Sequence, residues 1–141
     1  MRRPGVAEDS RVVDVHVEAV GGVRIGLIHD LEHTDYRTDE DVATILERTF
    51  CGHVDIAVSG HTHVPMVRGL ADGTALVNPG SPTMPYGYLD LVGTIGFVDI
   101  DEGMGRYEVT ILDLATGEPQ LKLTGPGHHP AEVGPRPVGG R

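Results

Sequence analysis

Near the start of the chain hydrophobic and polar residues alternate: Val13, Val15, Val17 and Ala19 are interleaved with Asp14, His16 and Glu18. A period of two predicts a half-buried β-strand with those polar side chains on its outer face. Gly21-Gly22 follows, a pair suited to the positive φ angles of a tight hairpin, and Val23 to Ile28 resumes as a second strand ending at His29-Asp30. Leu31 to Arg37 is polar and reads as a loop. The period then changes. Val42, Ile45, Leu46 and Thr49-Phe50 form one helical stripe behind Thr38 as N-cap, with Asp39, Glu40 and Asp41 at the positive end of the helix dipole and Gly52 as the stop. Val54 to Ser59 is nearly continuous in apolar residues, as expected of a central strand. Together these make a βαβ-like unit. If its strands are parallel, His29 and His61 leave the same edge of the sheet, the usual place for an α/β site.

Beyond His63 the pattern turns to β structure. Val67 to Leu70 and Thr74 to Val77 flank Asp72-Gly73, a hairpin turn signal, and Gly93 to Ile100 and Arg106 to Leu114 flank a loop at 101–105. Gln120 to Leu123 adds a short strand. From Gly125 the sequence GPGHHPAEVGPRPVGGR is too poor in apolar residues to fold and reads as a disordered tail, 125–141. One helix against seven or so strands is lopsided for an α/β domain, as if a layer of helices were missing.

The chemistry concentrates at Gly60-His61-Thr62-His63. Neutral imidazole is the commonest metal ligand, and two of them leave the end of a buried strand where the backbone can aim them. By spacing alone a polar turn with two solvated histidines reads the same way; a third histidine, His29, at the neighbouring strand end favours a metal site. Asp30 reads as a ligand, an orienter of an imidazole or a plain loop residue. His33 and Asp35 read as solvated loop residues, and His53 as a partner of the helix C-terminal carbonyls. Asp14-Val15-His16 has Asp-x-His spacing but falls inside an amphipathic strand. His128-His129 belongs to the tail. Asn78-Pro79-Gly80-Ser81-Pro82 is a turn cluster set off by its distance from the histidines.

Composition narrows the class. The chain has 141 residues and a formal charge of -10, which argues against a nucleic-acid-binding face but leaves phosphorylated substrates open to a bound cation. No apolar run is long enough for a transmembrane helix, and none follows Met1-Arg2-Arg3 as in a secretory signal. A single cysteine, Cys51, makes an intrachain disulfide impossible and suits a reducing cytoplasm.

The order GVRIGLIHD, helix, VDIAVSGHTHVP, hairpin, LVNPGSP, GTIGFVDID over about residues 22–114 resembles the C-terminal half of the calcineurin-like metallophosphoesterases, in their small YfcE-like phosphodiesterase branch. The resemblance implies an α/β fold, α+β-like in this portion: half of a β-sandwich with flanking helices, in a partial domain over 1–124. It implies hydrolysis of small phosphoesters at a two-metal site, with a divalent metal, Mn²⁺ before Zn²⁺, Ni²⁺ or Mg²⁺. His29 and His61 match ligands of one metal, His63 a ligand of the other, and Asn78 to Ser81 a turn that buttresses the site. The family's Asp-x-His, Gly-Asp and Gly-Asn motifs, which hold the bridging carboxylate, have no counterpart, so no catalytic residue is assigned and little activity is expected of this chain alone. One metal ion or none is then expected. The family's fold also serves a non-enzymatic retromer scaffold, so the alternative is an interaction module. A missing layer implies an exposed apolar sheet face, covered by a second copy or a partner chain.

Overall fold

The computed structural model describes residues 10–31, 37–88 and 91–126. The expectations for Met1 to Arg3, His33, Asp35, His128-His129 and the tail beyond 126 lie outside the described residues. Ten elements follow in order: β1 (Val15–Val20), β2 (Val23–Ile28), α1 (Asp39–Phe50), β3 (Ile56–Val58), β4 (Met66–Gly69), β5 (Ala75–Asn78), a 3-10 turn (Pro85–Gly87), β6 (Thr94–Asp101), β7 (Arg106–Asp113) and β8 (Pro119–Pro126). The fold is the expected strand-rich α/β arrangement, with one α-helix among the described residues. β8 outruns the predicted short strand, because Tyr107 and Arg106 on β7 pair with Gly125 and Pro126 and extend the ladder.

A five-stranded sheet, ordered β1-β2-β3-β5-β4, packs against a three-stranded sheet, β6-β7-β8. Val23, Ile56, Ala75 and Val77 meet Tyr107, Val109 and Ile111 between the sheets. On the opposite face Val42, Leu46 and Phe50 of α1 pack on Ala57, Leu70 and Leu76. These are the positions the helical stripe and the apolar runs select. β2, β3 and β5 are mutually parallel. The βαβ unit therefore exists, and the ends of β2 and β3 lie on one edge.

Thr38 caps α1 as expected, its hydroxyl accepting from Asp41 N–H at 3.2 Å. The left-handed residue that ends the helix is Cys51, φ 53°, one position before the predicted Gly52. Asp39 ties the helix start to the β4–β5 hairpin, accepting from Arg68 and from Ala71 N–H at 2.8 Å. The Arg68 contact holds the Asp39 carboxyl below the usual carboxylate range. The His53 ring lies 3.5 Å from the buried Asp55. Asp55 is 3% exposed and draws its partners inward, Arg24 N–H among them at 2.8 Å.

β1 departs from expectation. Only Val17 is half-buried; the other five residues are exposed. β1 is an edge strand whose Val17 packs against the α1 cluster, so alternation in the sequence did not guarantee a covering layer. Val13 is 53% exposed. Phe97, opposite Thr110 on the outer face of the second sheet, is 48% exposed.

Burial drives the Tyr107 hydroxyl up to about 12, with Asp55 and Asp72 adding to the shift. The folded chain then holds this proton more tightly than the unfolded one. The stability involved is intact below about pH 10 and falls as the pH rises toward 12. Tyr107→Phe is expected to flatten that fall, read from urea unfolding midpoints on either side of pH 10.

Candidate functional site

β2 and β3 end in His29 and in the Gly60-His61-Thr62-His63 turn, and one hydrogen bond locks the two ends together: Gly60 N–H donates to His29 O at 2.9 Å. Thr62 N–H then reaches back to Gly60 O at 2.8 Å, closing a three-residue turn about His61. His61 and His63 both take left-handed backbone angles, φ 67° and 61°. Such conformations cost a non-glycine residue about 1–3 kcal/mol each and persist only where the surroundings impose them.

Asn78 does the imposing. It is buried at the end of β5, where its Nδ2 donates to Gly60 O and to Thr62 Oγ1, both at 2.9 Å. Its Oδ1 accepts from Gly80 N–H at 3.0 Å, which fixes the Asn-Pro-Gly-Ser turn in the same step. Thr62 Oγ1 also accepts from Val64 N–H at 3.2 Å. Two turns far apart in sequence are one hydrogen-bonded unit.

His29 Nε2 and His61 Nδ1 are joined by a 3.1 Å hydrogen bond, with the rings edge to face. Two imidazole nitrogens sharing a cation at ~2.0–2.1 Å stand about 3.0–3.4 Å apart, so the spacing of this pair matches that of two ligands of one metal. His61 Nε2 points the other way, 3.9 Å from Asp30 Oδ2. His63 faces elsewhere: its Nδ1 lies 3.0 Å from Met84 O. Nδ1–H donates there, and Nε2 is left as the available lone pair. Among the described residues no group of three His, Cys, Asp or Glu side chains comes close enough to hold a metal ion. The structure thus brings His29 and His61 together and does not bring His63 to them.

A cleft of about 1010 Å³ opens at this edge, lined by Asp14, His16, His29, Asp30 and His61 beside Leu27 and Val58. Asp14 and His16 are there because β1 runs antiparallel to β2, with His16 opposite Leu27; its beginning meets the end of β2. Asp14 immediately precedes β1 and Val15-His16 open it, so Asp14-Val15-His16 stands at the strand's start, on the site edge. His16 is turned to Glu18, its Nε2 2.9 Å from the carboxylate. Alternation could not reveal this placement, since it depends on which neighbour β1 pairs with. The contacts of Thr62 with Asn78 and of Met84 with His63 leave no trace in the pattern either.

The family model of the calcineurin-like phosphoesterase superfamily domain matches residues 5–103. A probable metallophosphoesterase of Methanothermobacter thermautotrophicus is 42% identical over 62 residues, which are 44% of this chain and 33% of that protein. Among solved structures, Vps29 of Entamoeba histolytica complexed with Zn²⁺ superposes with a TM-score of 0.58 at 24% identity, over 83% of this chain and 63% of that one. A predicted phosphoesterase of Streptococcus pneumoniae gives 0.56 at 19% identity, over 85% and 66%. Vacuolar Protein Sorting 29 of Cryptosporidium parvum gives 0.61 at 21%, over 86% and 62%. The likeness to these structures is one of fold. The chain spans about a third of the curated relative and under two thirds of the Entamoeba protein.

Proposed function

Because the chain belongs to the calcineurin-like phosphoesterase superfamily, we propose that it contributes one side of a metal-dependent phosphoesterase site, of the YfcE-like phosphodiesterase kind. The observation that carries this reading is the 3.1 Å approach of His29 Nε2 and His61 Nδ1 at the joined ends of two parallel strands. A divalent cation, when bound, supplies Lewis-acid polarisation of the phosphoryl group. The chain's own residues would do the rest of the work on this side. His29 and His61 hold the cation, Asp30 biases the far nitrogen of His61, and Asn78 keeps the turn in its strained form. His63 is presented by Met84 O with Nε2 turned away from it, for a second cation whose other ligands are not found among the described residues. Mn²⁺ is the first choice of metal, Zn²⁺ the next, and a small phosphodiester or phosphomonoester the substrate. One partial domain over 1–124, working in the cytoplasm with a partner chain or further segment, completes the proposal.

Calorimetric titration with Mn²⁺ and Zn²⁺ tests it. At most one equivalent is expected to bind, and His29→Ala or His61→Ala should each weaken it at least about tenfold. No binding of either ion would sink the metal reading. Robust turnover of a chromogenic phosphodiester that vanishes in His61→Ala would show instead that the chain holds a complete site.

A scaffold role is the second reading, favoured by exposed apolar side chains such as Val13 and Phe97, 53% and 48% exposed. A stable, defined oligomer that binds no metal would select it.

A further inference from the structure

Among the described residues that line the cleft none is Lys or Arg, and Asp14 and Asp30 add negative charge to it. With no side-chain cation among those residues, contacts to the organic portion of a phosphoester would add to what a bound metal supplies. The other side of the Gly-His-Thr-His turn offers a surface of a suitable kind. The segment after the Asn-Pro-Gly-Ser turn clasps His63 twice: Met84 O receives the ring, and Tyr86 N–H donates to His63 O at 3.0 Å. Tyr86 held in this way has φ 54° and ψ 22°, a left-handed conformation in which a bulky residue is an outlier. Its side chain gains no burial in exchange, being 54% exposed. Glycine or asparagine would meet the backbone requirement without strain. A strained, solvent-facing aromatic residue joined by its backbone to a candidate ligand is explained neither by packing nor by turn chemistry.

We propose that Tyr86 is a substrate-recognition residue: its exposed ring, on a backbone joined to His63, is a stacking platform for a planar aromatic group, such as a nucleobase, carried by the phosphoester. The phosphoester half of this statement rests on the hydrolase reading above; the stacking half does not need a metal. Aromatic stacking of a base gives a preference of about five- to hundredfold over the same ligand without the base.

The test uses the full chain, isotope-labelled, and follows side-chain resonances by NMR. Without metal, adenosine is expected to shift the Tyr86 ring signals, whereas ribose leaves them in place. Tyr86→Phe should keep the adenosine affinity within about twofold and Tyr86→Ala should lower it at least about fivefold. Tyr88→Ala, at a residue 65% exposed and two positions on, should change nothing. Adenosine that leaves Tyr86 unmoved, or that binds Tyr86→Ala as well as the unaltered chain, overturns the proposal. In a second arm with Mn²⁺, adenosine 5′-monophosphate should outbind ribose 5-phosphate, and Tyr86→Ala should erase the difference while Mn²⁺ binding is unchanged. Stacking of adenosine with no gain from phosphate and Mn²⁺ would uphold the platform and overturn its phosphoester assignment, and with it the hydrolase reading.

Discussion

Asn78→Ala is expected to lower the unfolding free energy by about 3 kcal/mol and to abolish metal binding in the same step. The side chain makes three hydrogen bonds, to Gly60 O, Thr62 Oγ1 and Gly80 N–H. Each is worth roughly 1 kcal/mol net, and a buried partner left unsatisfied costs ~1–3 kcal/mol more. Alanine also leaves the two left-handed histidines without the contact that imposes their backbone, so the turn can relax and His61 can leave His29. Domains of this kind are stable by only about 5–15 kcal/mol in all, which makes such a loss plain in a urea unfolding curve. His61→Ala provides the contrast. Its ring is 57% exposed, so it should remove metal binding with little change in the unfolding midpoint. Equal stability of Asn78→Ala and the unaltered chain would show that the two turns hold themselves.

Gly93→Ala is the second large effect, and its cause is steric. A Cβ at Gly93 would overlap Ser81 O and lie 3.1 Å from Pro85 Cβ. The obstacle is backbone, which has no rotamer to give. The neighbourhood is also held by hydrogen bonds that the displacement would break: Gly93 N–H to Pro82 O at 3.0 Å, Thr94 N–H to Ser81 O at 3.1 Å and Leu114 N–H to Gly93 O at 2.9 Å. A cost above about 3 kcal/mol is expected, at the upper end for an overpacked position. Circular dichroism melting will read it, and a midpoint close to that of the unaltered chain would mean that the turn at Ser81 is soft. Because that turn continues into Met84 and Tyr86, the variant should also loosen the clasp on His63.

Local physics made much of the fold legible. Thr38 with its acidic first turn, the stripe Val42-Leu46-Phe50 and the apolar run into β3 each announce their element with no outside help. Gly21 and Gly22 both have the positive φ their hairpin was expected to need. The histidines could be picked out because a strand end is a place of known geometry. What stayed hidden depends on who packs against whom. β1 looks amphipathic whether or not a layer covers it. Asp14 and His16 reach the cleft only through antiparallel pairing with β2. The return of Met84 and Tyr86 to His63, some twenty residues away, leaves no periodic trace.

The sheet order bears on how the site comes into being. Four pairings, β1–β2, β4–β5, β6–β7 and β7–β8, join neighbours in sequence and close short loops. The parallel pairings β2–β3 and β3–β5 are non-local, and it is the first of them that carries His29 to His61. Non-local parallel pairing is the slow part of folding such a chain, since loop entropy is lost before any contact repays it. On that order of events the two rings would meet only as the closure finishes. A cation held between them would then reward its completion and not its approach, a latch that slows unfolding while leaving the folding rate as it is.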